Sequence, residues 1–147
     1  MAPKVHYLSP MECAARLFMA AKNKAPARHK DFSLELEDVY ERVLEGHCER
    51  TGIPFDMRAK MEGMGDSMLP WRASLDRIDN ARGYHADNIQ VTSKIYNTAK
   101  WAWSDKDVLR MALALERRAS AQMTVSEKEA LLKSSLSVVE RNDEDRV

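Results

Sequence analysis

Apolar residues recur at Met11, Ala14, Ala15, Phe18 and Ala21, the spacing of one helical face. Ser9-Pro10-Met11-Glu12 precedes that face and has the makings of its start. Ser9 can cap, Pro10 suits the first helical position, and Glu12 closes a capping box. The basic run from Lys22 to Lys30 breaks the pattern as a loop. A second helical face follows at Leu36, Val39, Tyr40, Val43 and Leu44, and Gly46 stops it. Two apolar runs, Ser74–Ile78 and Ile89–Thr92, are too short for helices and read as strands joined by a polar loop. Asn97 lies one turn into the helix expected after them. Ser104-Asp-Lys-Asp107 caps a further helix with Val108, Leu109, Ala112 and Leu115 on its apolar face. Thr124-Val-Ser-Glu127 opens a last one with Leu131, Leu132, Leu136 and Val139. Met57–Pro70 has no period and reads as a long loop, and the end from Glu140 to Val147 is polar and expected to fray. The pattern predicts an α+β protein, mostly helical, with a small strand–loop–strand–helix core flanked by α-helices. Three stretches are expected: a basic N-terminal helix and arm (1–30), the strand-bearing unit with its preceding helix (31–118), and a C-terminal helix with a polar tail (119–147).

A chain of 147 residues with 44% hydrophobic and 31% charged residues is sized for one ordinary globular domain. No run approaches the ~18 apolar residues of a membrane span. The first residues carry no apolar signal core, so a cytoplasmic protein is expected. Cys13 and Cys48 are far apart and read as two reduced thiols. Without any Cys-x-x-Cys, a structural zinc site of four cysteines is excluded. The formal net charge is zero, but the charge is segregated. Residues 1–30 hold six Lys/Arg against one Glu, residues 31–70 ten acids against four bases, and residues 71–118 nine bases against six acids. A basic arm and a basic motif therefore bracket an acidic helix, which suits a protein that touches phosphates on one side.

The run from Ser74 to Lys100 carries the candidate chemistry. It holds Leu75-Asp-Arg-Ile-Asp79, then Gly83-Tyr84, then Asn88, and ends on Asn97-x-x-Lys100. In order and spacing this set resembles the ββα-metal (HNH) nuclease motif, in a variant associated with bacteriophage and mobile-element proteins. Cys48-x-x-Thr-Gly-x-Pro-Phe55 resembles the segment upstream of the motif in such proteins, a short turn and strand. The resemblance spans roughly residues 46–112 and leaves 1–30 and 119–147 outside it. It implies a ββα-metal core and a metal-dependent endonuclease that hydrolyses phosphodiester bonds in DNA, phage-encoded and working in a host cytoplasm. The implied cofactor is one divalent ion, Mg²⁺ or Mn²⁺, with no structural zinc. By position, Asp76 and Asn97 are the implied metal ligands. Asn88 is the implied structural asparagine, bonding backbone across the loop to hold the strand of Asp76 against the helix, and Gly83 allows the turn.

One position departs from the usual pattern. The residue after the metal-binding Asp is commonly His, the general base; here it is Arg77, which stays protonated. Three readings are open. Arg77 clamps the phosphate while the attacking water loses its proton to solvent or another group; His85, on the loop, is the base; or the protein does not cut. The last makes it a catalytically degenerate binding protein, an inhibitor or adaptor on nucleic acid or on a host or phage protein. A chance motif in a purely helical interaction protein is a weaker alternative. Arg72, Arg82, Lys94 and Lys100 are candidate phosphate contacts, against the ordinary reading of solvated side chains. Asp79 reads as a turn cap more readily than as a metal ligand. Trp101 and Trp103 read as core, with base stacking the minor alternative. His6, His29 and His47 have no partners at ligand spacing.

Overall fold

A computed structural model describes the backbone of residues 5–59 and 69–144, and the side chains of those residues as far as residue 134. Most of the expected Met57–Pro70 loop, residues 60–68, lies outside the described residues, as do the side chains of Leu136 and Val139. The chain is a mixed α+β protein. Its described elements are α1 (Pro10–Lys24), a 3-10 turn (Pro26–Arg28), α2 (Leu36–Leu44), β1 (Ala73–Arg77), a second 3-10 turn (Ala86–Asn88), β2 (Ile89–Ser93), α3 (Lys94–Lys100), α4 (Asp105–Gln122) and α5 (Val125–Glu144). Among the described residues, no helix is long and apolar enough to cross a membrane.

The helix starts form as their sequences dictate. The Ser9 hydroxyl accepts from Glu12 N at 3.2 Å and Ser9 N donates to the Glu12 carboxylate at 2.8 Å. Ser104 and Asp107 make the same reciprocal box on α4. Gly46, just past α2, sits at φ 78°, a conformation that glycine adopts without strain. The apolar face of α1 is turned slightly from the expected one. Cys13, Ala14 and Ala21 are buried with Leu17 and Phe18 against them, while Met11 is exposed. Packing on α2 selects this face, and the helix runs through the first basic residues of the expected loop, to Lys24.

β1 and β2 pair antiparallel, with Asp76 opposite Gln90 and Ser74 opposite Thr92. A two-stranded sheet cannot stand alone. Here helices complete it: α1 lies against β1, α2 against β2, and α3 against both strands. All five residues of β2 are consequently buried. The outer edge of β2 is closed by Glu49, whose N–H donates to Val91 O while its carboxylate accepts from Val91 N. The upstream Cys48–Phe55 segment forms a tight turn with a single antiparallel bridge, His47 to Pro54, in place of the expected strand. Cys13 and Cys48 are both buried and free.

Residues 1–30, expected as an arm outside the motif, supply Leu8, Cys13, Ala14, Ala21 and Ala25 to the same core as Val39, Val43, Ile89 and Val91. Among the described residues, α4 and α5 contribute little to it. Val108 is buried, but Leu109, Leu113, Leu115, Leu131 and Leu132 are exposed.

Candidate functional site

α1, β1, the β1–β2 loop and α3 enclose a groove of about 690 Å³. Six basic side chains line it: Arg16, Lys24 and Arg28 on one wall, Arg72, Arg77 and Lys94 on the other. Among the described residues Asp76 is the one acid on it, and Asn97 lines it as well. The strand–loop–strand–helix order thus brings Asp76, Asn97, Arg72, Arg77 and Lys94 together, and it leaves Asn88, His85, Arg82 and Lys100 off the lining.

Asp76 is only 4% exposed. Its Oδ2 accepts from Gln90 Nε2 at 2.8 Å, across the strand pair, and from Lys100 Nζ at 2.6 Å. Oδ1 accepts no hydrogen bond among the described residues. Lys100 is 0% exposed, and its ammonium also donates to the carbonyls of Arg77 and Ile78. The expected phosphate contact by Lys100 is therefore corrected. Its charge is spent inside the protein, one helical turn beyond Asn97, where it neutralises the site carboxylate and holds the end of β1 on α3. The pattern Asn97-x-x-Lys100 marked the right helix, but whether lysine faces solvent is decided by the strand it packs on.

Asn97 donates through Nδ2 to Ser74 Oγ at 2.8 Å and to Leu75 O at 3.2 Å. Its carbonyl oxygen accepts no hydrogen bond among the described residues. Asp76 and Asn97 both line the groove, and each has one side-chain oxygen that accepts no hydrogen bond among the described residues. One carboxylate plus one neutral oxygen suits a hard cation that keeps waters and takes further oxygens from a phosphate. Among the described residues, no group of three or more His, Cys, Asp or Glu could hold a metal ion by itself.

Asn88 is buried in the loop behind the site. Its Oδ1 accepts from Asp79 N at 2.9 Å, and its Nδ2 donates to Gly83 O at 2.9 Å and Asp79 O at 3.1 Å. It ties the loop to the start of β2, a positioning role. Asp79 accepts from Ala81 N at 2.8 Å, a turn cap. Gly83 is required by close approach: a Cβ there would overlap Asp31, and Tyr84 N donates to Asp31 O beside it.

Arg77 donates from Nη1 to Arg82 O at 2.9 Å and Asn80 O at 3.1 Å, and stacks over the Tyr84 ring. Its charge stays at the groove wall while its guanidinium is fixed to the loop. His85 is elsewhere: Nε2 meets Asp31 Oδ2 at 2.6 Å and Nδ1 meets Ser33 Oγ at 2.7 Å. The expectation of His85 as base on this site is corrected, since the pairing of 31–33 with 83–85 draws its ring away from Asp76. Arg82 pairs with Asp87 at 2.8 Å and is off the groove, so it too is not placed as a phosphate contact here.

Sequence reasoning missed a polar network next to Asp76. Gln90 Nε2 also reaches Asp105 at 3.2 Å, Tyr96 OH donates to Asp105 Oδ1 at 2.6 Å, and Arg50 lies 3.8 Å from Asp105 Oδ2. Burial first, and then the bond to Asp105, push the Tyr96 phenol up to about 12. It also missed Arg16, Lys24 and Arg28 as groove residues. Their only sequence signal was the basic balance of residues 1–30. The chain matches no family model, no curated protein and no solved structure.

Proposed function

We propose that this chain is a metal-dependent endonuclease of the HNH (ββα-metal) kind, acting on the phosphodiester backbone of DNA. The observation that carries this reading is one groove in which, among the described residues, six basic side chains surround a single carboxylate and the Asn97 amide. A polyanion is the ligand such a lining attracts, and phosphate contacts are the main source of nucleic-acid affinity. Asp76 Oδ1 and the Asn97 carbonyl would hold Mg²⁺ or Mn²⁺, which supplies charge stabilisation to the phosphate and to the leaving oxygen.

The chain's own residues do the rest. Arg72 and Lys94, with Arg16, Lys24 and Arg28 across the groove, bind and orient phosphates. Arg77, fixed at the wall by Asn80 and Arg82 carbonyls, presents a constant positive charge beside Asp76. Lys100 pairs with Asp76 and holds it in place. No His or Glu lines the groove among the described residues, so the attacking water passes its proton to solvent or to a phosphate oxygen. Such a site is slow compared with one that holds a general base, which contributes typically 10²–10⁴-fold. A phage origin and a host cytoplasm belong to the same reading.

A second reading is favoured by one observation. The ammonium of Lys100 already compensates Asp76, so the groove is charge-balanced at its acid without a metal. On that reading the chain grips nucleic acid, or a host or phage protein, as an adaptor or inhibitor and does not cut.

The test is incubation with supercoiled plasmid and with single-stranded DNA in Mg²⁺, Mn²⁺ or EDTA, beside Asp76→Asn and Asn97→Ala. Nicking that requires metal and is lost in Asp76→Asn is the expected result. Asn97→Ala is expected to raise the metal concentration needed. Binding without cleavage in any metal would establish the second reading.

A further inference from the structure

Trp101 and Trp103 are 71% and 59% exposed, and their rings meet edge to face at 5.9 Å. Two indoles in water beside a basic groove are not core, contrary to the reading from sequence. Trp101 lines the groove itself. Its backbone, at φ 41° and ψ −109°, is in the left-handed half of conformational space, where a residue with a side chain is strained. Two hydrogen bonds hold it there, and a third holds Trp103 beside it. Trp101 N donates to Asn97 O at 2.9 Å, and Asn80 Nδ2 donates to the carbonyls of Trp101 at 3.1 Å and Trp103 at 3.4 Å. Asn80 belongs to the same loop whose carbonyls fix Arg77. The aromatic pair and Arg77 are thus set by one framework, at the end of the helix that carries Asn97.

We propose that Trp101 and Trp103 form a stacking platform for the bases of an unpaired nucleic-acid strand whose phosphates follow the basic groove. This rests on the reading of the groove as a nucleic-acid site and names its substrate form as single-stranded. Every base has a π-face, so stacking on indoles tolerates any sequence, while Arg16, Lys24, Arg28, Arg72, Arg77 and Lys94 track the backbone. A groove of about 690 Å³ is the size of a small-molecule site. It accepts nucleotides of one strand, whereas the bases of an intact duplex are already stacked on each other and offer the indoles no free face.

The experiment uses the full chain in EDTA, so that cleavage plays no part. Fluorescence anisotropy compares labelled oligothymidylate, a duplex of the same length, an abasic oligonucleotide of the same charge, and polyglutamate. Oligothymidylate is expected to bind tightest and to quench tryptophan emission. Trp101→Gly, which also relieves the positive φ, and Trp103→Ala are each expected to weaken it by roughly 5- to 150-fold, leaving abasic binding unchanged. Trp101→Phe, which keeps a π-face, is expected to restore most of the affinity. Equal affinity for the abasic strand, unchanged affinity in both variants, or equal binding of polyglutamate (an acidic-protein site) would each overturn the proposal. Base-dependent binding without cleavage in metal would leave the platform standing and remove the nuclease reading. Cleavage with base-independent binding would do the reverse.

Discussion

Lys100 has its ammonium wholly inside the protein, 2.6 Å from Asp76 Oδ2 and bonded to two backbone carbonyls of β1 and its extension. Removing either member leaves the other charge buried and uncompensated, which costs about 3–5 kcal/mol. Asp76 therefore has a structural as well as a chemical role, and a simple deletion of it does not leave the fold untouched. Lys100→Met is expected to lower the unfolding free energy by about 3–5 kcal/mol, and Asp76→Asn added to it to recover most of that, because the buried charge is then gone. Urea titration of the two variants checks this; a loss under about 1 kcal/mol in Lys100→Met would show the pair to be solvent-screened. Cys13 offers a pH prediction. Burial pushes its thiol up to about 11, against the opposing charges of Arg72 and Arg16. A folded-state pKa above the unfolded one means that the folded state keeps its proton longer. Stability is then full below about pH 9 and falls as pH rises through about 11. Tyr96, pushed up to about 12, extends the same trend. Urea midpoints between pH 8 and pH 11 are expected to decline in the natural chain and to flatten over the lower part of that range in Cys13→Ala.

At the scale of elements, the β1–β2 loop does more than connect strands. Asn88 binds it from within, Asn80 reaches out to the tryptophan segment, and Gly83 lets segment 31–33 pair alongside 83–85. The space at Gly83 is already filled by Asp31. Gly83→Ala is expected to cost about 1–3 kcal/mol by displacing that segment. The corresponding fall in Tm, on the order of 2–10 °C, is measurable by circular dichroism; an unchanged Tm would mean that segment 31–33 yields freely. Helix starts and the two strands were legible in the sequence, because caps and short β-prone runs act over a few residues; Asn88 was expected to hold β1 against the helix, and its bonds instead tie it to Asp79 and Gly83 of its own loop. The face of α1 was read less well, since α2 and β1 decide which residues of a helix with small side chains all round turn inward.

Zero net charge hides an uneven molecule. Folding lays Arg16 and Lys24 of α1, and Arg28 of the 3-10 turn after it, opposite Arg72, Arg77 and Lys94. Acids of α2 and the following turn, Asp38, Glu41, Glu45 and Glu49, line a separate shallow depression. A polyanion therefore meets a positive groove on a neutral protein. Binding of single-stranded DNA is expected to weaken with salt at a log–log slope of up to about −4 if all six cations meet phosphates. Lys24→Ala and Lys94→Ala are each expected to reduce that slope by about 0.7, and Arg82→Ala, off the groove and paired with Asp87, to leave it unchanged. Anisotropy titrations at several salt concentrations would show it; an equal effect of Arg82→Ala would place the phosphates elsewhere.

What the sequence determined by itself was local: capped helices, a strand–loop–strand–helix unit, and Asp76, Asn88 and Asn97 at set positions within it. Each follows from spacing and side-chain chemistry within one element or across one turn. Only the tertiary structure decided which charges are available. Lys100 and Lys94 sit six residues apart on one helix, yet one is buried on Asp76 and the other lines the groove. His85 and Arg82 find partners on the far side of the loop, and α1 becomes a wall of the site. Those outcomes depend on how helices pack across the two-stranded sheet, a long-range matter of shape and burial that one-dimensional spacing does not carry.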